Sequence, residues 1–155
     1  MKTRISKKIL PCVAALLAFT GAGVLHGCDD GDAPAATIIG TWTVAKTEGY
    51  EIIDGRKDTF WDTYESGQYT MQFDLDETGV EIFKEKNEVP DYKPFTYKYA
   101  TNPGWLLLTY KGEQQTYDYE VENLTSTMFV ISRKSGDKDG VNETFIRYYM
   151  NRIKK

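Results

Sequence analysis

The stretch that decides the fold is residues 68–75, Gln-Tyr-Thr-Met-Gln-Phe-Asp-Leu. Its tyrosine, methionine, phenylalanine and leucine alternate with polar residues. This period of two places one face of a strand in a core and the other in water. The same alternation recurs in Phe95–Ala100 and in Thr116–Glu122, and it dominates the chain from residue 38 onward. The sequence therefore predicts an all-β domain.

Turn residues divide this domain into eight predicted strands. Glycine, proline, asparagine and aspartate cluster between the alternating runs, where they mark tight turns. The predicted strands are Thr41–Glu48, Gln68–Leu75, Val80–Lys84, Phe95–Ala100, Trp105–Tyr110, Thr116–Glu122, Met128–Ser132 and Glu143–Arg152. Short consecutive links favour an up-and-down antiparallel order, and eight such strands close into a small barrel without open edges. A β-sandwich built from the same strands is the alternative.

The alternation also predicts which side chains point into the barrel. The candidate ligand-binding residues among them are Met71, Phe73, Tyr97, Tyr99, Tyr117 and Tyr119. The predicted inward set is Met71, Phe73, Ile82, Tyr97, Tyr99, Leu107, Tyr117, Tyr119 and Val130. An interior lined partly by phenols suits a small hydrophobic, amphipathic or aromatic ligand. The alternative is that these tyrosines are core residues with satisfied hydroxyls.

The link Gly49–Gly67 is too long for an ordinary hairpin connection, which has two to five residues. It carries Phe60, Trp61 and Tyr64, which are unusually apolar for a segment left in water. We expect it to form a lid over the barrel mouth and to contribute to ligand binding. Two alternatives stay open. In the first, the loop buries its aromatic side chains in a small cluster of its own. In the second, the barrel is filled by its own side chains and the loop contacts an envelope protein or glycan.

The N-terminal segment is typical of a bacterial lipoprotein signal. Basic residues between Lys2 and Lys8 precede an uncharged, largely apolar run, Ile9–Leu25. The following Leu25-His26-Gly27-Cys28 resembles a lipobox, whose cysteine is acylated and becomes the new N-terminus. We therefore expect three segments: a signal peptide at 1–27, a lipidated Cys28 with a flexible acidic tether at 28–37, and the barrel domain at 38–155.

Processing before Cys28 changes the chemistry of the chain. Cys12 and His26 are removed and Cys28 is acylated, so neither a histidine nor a free thiol remains. Catalysis by Ser-His-Asp or Cys-His groups and ordinary zinc, copper or haem sites are thereby excluded. We expect a protein that is not an enzyme and has no metal and no cofactor.

The charge of the processed chain argues against nucleic-acid binding. Removing four of the 19 basic residues and none of the 23 acidic ones leaves 15 against 23, a net charge of about −8. Such a body repels phosphate backbones and anionic lipid. Acyl chains on Cys28 are then the expected contact with the membrane. The sequence leaves the oligomeric state open.

The acidic run Asp29–Asp32 resembles the surface-export signal that follows the cysteine in lipoproteins of Bacteroidota. The resemblance implies a lipid-anchored outer-membrane protein exposed at the cell surface. A periplasm-facing position is the alternative.

The start of the first predicted strand resembles that of lipocalins. Gly40-Thr41-Trp42 matches their Gly-x-Trp motif, whose tryptophan closes the base of the barrel beneath an arginine from the last strand. Because the last strand runs antiparallel to the first, Arg152 rather than Arg147 is the matching arginine. The domain thus resembles a lipocalin-like bacterial lipoprotein. The resemblance implies a barrel that binds a small ligand without catalysis, with Trp42 and Arg152 at its structural base.

Overall fold

A computed structural model of the chain describes residues 36–137, 139 and 141–154. The predictions for the signal peptide, for Cys28 and for almost all of the tether lie outside the described residues. Within them every regular element is a strand. The nine strands are β1 (Gly40–Ile53), β2 (Arg56–Thr63), β3 (Tyr69–Phe73), β4 (Thr78–Phe83), β5 (Asp91–Thr101), β6 (Gly104–Tyr110), β7 (Thr116–Leu124), β8 (Met128–Gly136) and β9 (Glu143–Arg152).

The strands form one antiparallel sheet that closes on itself. Neighbours follow the order β2-β1-β3-β4-β5-β6-β7-β8-β9, and β1 also pairs with β9. Eight strands, β1 and β3 to β9, therefore make a closed up-and-down barrel, and the barrel prediction is confirmed. The sandwich alternative is wrong because the β1–β9 pairing, from Trp42↔Arg152 to Ile52↔Glu143, joins the first and last strands of the barrel.

The predicted loop Gly49–Gly67 is wrong as a loop, because most of it is strand. β1 continues to Ile53, and β2 returns alongside it in the register Ile53↔Arg56 to Lys46↔Thr63. Asp54 and Gly55 make the turn, with φ of 51° and 75°. Two successive positive φ values are typical of the type I′ turn that Asp-Gly favours in two-residue hairpins. The unusual length of this link thus comes from an added ninth strand.

The ladders decide which side chains point inward. Directly opposed residues share a face, and the pairs Met71↔Glu81, Gly79↔Phe95 and Tyr99↔Leu106 put one alternate set inside. Six of the predicted inward residues, Met71, Phe73, Tyr97, Tyr99, Tyr117 and Tyr119, belong to this set.

Three predicted inward residues lie on the outer face. Ile82 pairs with Thr70 and Tyr92, Leu107 with Lys98 and Asp118, and Val130 with Tyr149. Hydrophobicity was a misleading guide to the direction of these side chains. Val130, for example, is buried on the outer face, where Tyr149 lies opposite it. Leu75 is also outside the core, because β3 ends at Phe73.

In the part of the chain that the structure describes, no helix is long and apolar enough to cross a membrane.

Candidate ligand-binding site

One end of the barrel is closed around Trp42. This side chain is fully buried, its indole N–H donates to the carbonyl of Ile38 at 2.7 Å, and its ring lies 5.2 Å from that of Phe129. The guanidinium carbon of Arg152 lies 4.2 Å from the Trp42 ring centroid, which is cation–π geometry. Arg147, the other candidate, lies on the outer face between Glu48 and Glu122.

Arg152 also fastens the segment that precedes β1. Its N–H groups donate to the carbonyls of Ser126 at 2.8 Å, of Ile39 at 2.7 Å, and of Thr37. Gly40 makes this approach possible, since a Cβ there would lie 2.7 Å from the Arg152 Nη1 atom and its φ is 124°. Charged donors thereby satisfy the backbone at the base of the barrel.

Above this base the barrel is filled by its own side chains. The Phe73 ring lies 5.4 Å from Phe95, 5.2 Å from Tyr97 and 6.0 Å from Phe129. The Tyr97 hydroxyl donates to the carbonyl of Asp74 at 2.5 Å. Spacings of about 4.5–7 Å are those of packed aromatic pairs, so this part of the interior leaves no room for a ligand.

A cavity of about 200 Å³ opens at the other end of the barrel. The inner face of β3 leads to it, from Phe73 near the base through Met71 to Tyr69. Its lining is mostly phenolic and charged. The lining residues are Tyr69, Glu81, Lys93, Tyr110, Glu113, Tyr117, Tyr119, Arg133 and Tyr148.

Glu81 stands on one wall of this cavity as a hydrogen-bond acceptor. The Tyr69 hydroxyl donates to its Oε1 at 3.0 Å, and the Tyr110 hydroxyl donates to its Oε2. Lys93 is its direct neighbour in the β4–β5 ladder. Both carboxylate oxygens are therefore held by phenols, which fix the orientation of the group.

Arg133 stands on the wall formed by β7 and β8. Its guanidinium carbon lies 4.7 Å from the ring centroid of Tyr117 and 5.9 Å from that of Tyr119. Its Nε atom is buried and has no hydrogen-bond partner among the described residues. An unsatisfied buried donor is costly, particularly on a charged group. The stacked guanidinium is thus positioned by rings, while its Nε–H is left without an acceptor among the described residues.

The phenols around the cavity are kept protonated. Burial, the largest cause, raises the pKa of Tyr119 to about 12 and raises the pKa values of Tyr110 and Tyr148 further. The pKa of Tyr69 is likewise raised, by burial and then by the nearby Glu81 carboxylate. At neutral pH these hydroxyls are neutral hydrogen-bonding groups.

Of the three aromatic residues expected to form a lid, Tyr64 alone contacts rings beside the cavity. Its ring lies 5.3 Å from Tyr69 and 6.2 Å from Phe83, and its hydroxyl is 3.2 Å from the Thr47 hydroxyl. Phe60 lies over Gly49 on the β1–β2 hairpin, where an added Cβ would come within 2.9 Å of its ring. Trp61 is 69% exposed. The segment is a braced hairpin with one aromatic residue at the mouth.

The structure separates the predicted site residues into two groups. Tyr117 and Tyr119 line the cavity, whereas Met71, Phe73, Tyr97 and Tyr99 lie outside its lining. Sequence reasoning missed the two charged residues Glu81 and Arg133. Because successive residues of a strand point to opposite faces, choosing Ile82 and Val130 as inward residues assigned Glu81 and Arg133 to the outer face. The available signal was the spacing along β8: Arg133 lies two residues after Ile131 and four after Phe129, so it shares their face, and both of those residues are fully buried.

The residues that the structure describes contain no cluster of histidine, cysteine, aspartate or glutamate able to hold a metal ion. No family model matches the chain, and no curated protein matches it. The crystal structure of an uncharacterized protein from Bacteroides eggerthii DSM 20697 is similar over 74% of this chain and 98% of its own, with 11% identity and a TM-score of 0.47.

Proposed function

We propose that this protein is a lipid-anchored envelope protein that binds a small amphipathic ligand in the cavity around Arg133 and Glu81, without catalysis. Acyl chains on Cys28 hold it in the outer membrane, with the barrel facing the cell surface. The filled base of the barrel provides rigidity, and the opposite end provides the binding site.

The observation that carries this proposal is the buried Nε–H of Arg133, which has no partner among the described residues. A guanidinium stacked on rings presents its edge to an acceptor, and it pairs best with a carboxylate or a similar planar anion. The rings of Tyr117 and Tyr119, on which the guanidinium lies, also line the cavity, so they would contact the rest of such a ligand.

The volume of the cavity and the chemistry of the wall opposite Arg133 limit the size and the polar groups of the ligand. A volume of about 200 Å³ is below the roughly 300–1,000 Å³ of sites for drug-sized molecules. Long acyl chains are therefore too large, and a single ring or short chain is the expected body. The Glu81 carboxylate and the phenols around it suit a hydroxyl or amino group at the far end of the ligand.

The Nε–Hε signal of Arg133 in a ¹⁵N-correlated NMR spectrum tests the proposal directly. Phenylacetate is a suitable probe because it combines one ring with one carboxylate, and phenylacetamide is its neutral counterpart. We expect saturable shifts of the Arg133 signal with phenylacetate and much weaker ones with phenylacetamide. Arg133→Gln should abolish binding, while Arg56→Gln, which changes an exposed arginine on β2, should leave it intact.

Two results would count against the proposal. Absence of any saturable shift with phenylacetate would show that the cavity does not bind a small aromatic carboxylate at Arg133. Equal binding of phenylacetate by the Arg133→Gln protein would show that the ligand lies elsewhere.

The exposure of Trp61 favours a second candidate, an interaction module. In this alternative the cavity serves no ligand, and the β1–β2 hairpin contacts an envelope protein or glycan. Loss of partner capture in the Trp61→Ser protein, with unchanged phenylacetate shifts at Arg133, would support it.

A further inference from the structure

The outer edge of β2 has no strand partner among the described residues. β2 stands at the β1 end of the sheet order, outside the closed barrel, and pairs with β1 alone. In a two-residue hairpin the flanking pair, here Ile53↔Arg56, is hydrogen-bonded. Alternate residues of β2, namely Lys57, Thr59 and Trp61, therefore turn their backbone N–H and C=O groups to the open side. Such a row is a template for another strand.

The hairpin that carries this edge is braced. At its tip the Gly55 N–H donates to the carbonyl of Val141 at 3.2 Å, and the Asp54 N–H donates to Asn142 Oδ1 at 3.3 Å. Further along, the Lys57 ammonium lies 3.7 Å from the Tyr50 ring centroid. The edge is therefore held in a fixed extended form, which lowers the entropic cost of pairing with another strand.

We propose that β2 of one copy pairs antiparallel with β2 of a second copy, about a two-fold axis at Thr59. This register places Arg56 opposite Asp62 and Lys57 opposite Trp61, on both sides of the axis. A guanidinium then faces a carboxylate, and the aliphatic stem of Lys57, whose ammonium lies over the Tyr50 ring of its own chain, faces the exposed indole. Opposite charges and apolar contacts between directly opposed residues stabilise a strand pair.

The charge pattern of β2 favours this register over its neighbours. A two-fold axis perpendicular to the sheet keeps equivalent faces together, so the register shifts in steps that preserve side-chain direction. One neighbouring register places Asp58 opposite Asp62, and the other places Asp58 opposite its own copy. Like charges directly opposite each other destabilise a strand pair. The proposed register avoids both clashes and covers Trp61, which is otherwise 69% exposed.

A cysteine at the proposed axis tests the pairing in the full chain. Hydrogen-bonded antiparallel partners have Cα atoms about 5.5 Å apart, within the range that a disulfide spans. In cells that express Thr59→Cys, we expect a disulfide-linked dimer on non-reducing gels. The parent chain controls for disulfides through Cys12 or Cys28. Glu88→Cys, an exposed site on the β4–β5 link, controls for random collision.

Charge reversal then tests the register. Adding Asp62→Arg to Thr59→Cys should remove most of the cross-linked dimer, because it faces Arg56 with another arginine. Adding Arg56→Asp as well should restore the dimer, because the opposed charges are again complementary. These side chains are exposed, so the barrel is expected to fold in every variant.

Three outcomes would overturn the proposal: no dimer with Thr59→Cys, a dimer that Asp62→Arg leaves unchanged, or a mixed disulfide with a different protein. The last would show that the edge accepts another strand. All three are independent of ligand binding at Arg133.

Discussion

The Arg152 guanidinium covers the Trp42 ring at 4.2 Å and donates to the backbone carbonyls of Ile39 and Ser126. One side chain from the last strand thus joins the first strand, the segment before it and the β7–β8 turn. Because these parts are distant in sequence, this contact stabilises the closed barrel rather than any single hairpin.

Truncating Trp42 should strongly destabilise the domain. We expect Trp42→Ala to lower the free energy of unfolding by about 3–5 kcal/mol, as large-to-small core changes do. Arg152→Ala should cost more than Arg147→Ala, because Arg147 pairs with carboxylates on the half-exposed outer face. Denaturant unfolding of the three variants measures the order. An unfolding midpoint for Trp42→Ala equal to that of the parent would contradict the role of the base.

Acid should weaken the outer-face ion pairs at Glu48. Its hydrogen bond from Lys46, followed by that from Tyr149, lowers its pKa from 4.5 to about 2. A lowered folded-state pKa gives stability that is present above the unfolded pKa and is lost as the pH falls through the folded one. We therefore expect a decline in stability between about pH 4.5 and pH 2. Glu48→Gln should flatten this part of the profile, and an identical decline in the variant would refute the assignment.

Alkali should reveal the buried tyrosines. The raised pKa values of Tyr69, Tyr110, Tyr119 and Tyr148 mean that the folded state retains protons that the unfolded state releases near pH 10. Their contribution to stability is complete below that pH and is lost as the pH rises through the folded values, about 12 for Tyr119. Tyrosinate absorbance should show part of the 11 tyrosines ionising only on unfolding. Ionisation of all 11 tyrosines near pH 10 in the folded protein would contradict the raised pKa values of the buried ones.

Tyr64 should control access to the cavity. Tyr64→Ala removes the ring that packs on Tyr69 and Phe83, so we expect altered phenylacetate affinity with the barrel retained. Trp61→Ser on the same segment is the matched control and should leave affinity unchanged. Titration of the Arg133 Nε–Hε signal measures the phenylacetate affinity of both variants. A larger effect from Trp61→Ser than from Tyr64→Ala would show that the β1–β2 hairpin, and not Tyr64, covers the cavity.

Cys28 is predicted to be the site of acylation. Cys28→Ala should release the domain from membranes or leave an unprocessed precursor, because no lipid can then be attached. Membrane fractionation and the mass of the N-terminal peptide provide the measurement. Processing and membrane attachment equal to those of the parent would show that another segment anchors the chain.

The local pattern of the sequence was enough to predict the barrel and most of its strands. Period-two alternation reports that a strand has one buried face, and turn residues report where it ends, and both are properties of neighbouring residues. The β1–β2 hairpin was also encoded locally, in Asp54-Gly55. It was missed because the strand that follows shows no apolar alternation: its two aromatic residues, Phe60 and Trp61, are adjacent and lie on opposite faces, and nearly all of the strand is exposed.

Tertiary structure alone decided which residues form the candidate site. Glu81 and Arg133 are charged residues on a face that hydrophobicity assigns to water, yet the ladders turn both inward at the open end of the barrel. Sequence alternation gives two possible faces for each strand, and the partner strands choose between them. The sequence therefore determined by itself that this chain forms an all-β barrel. The closure of that barrel determined where its interior is filled and where it is polar, because that depends on side chains brought together from distant strands.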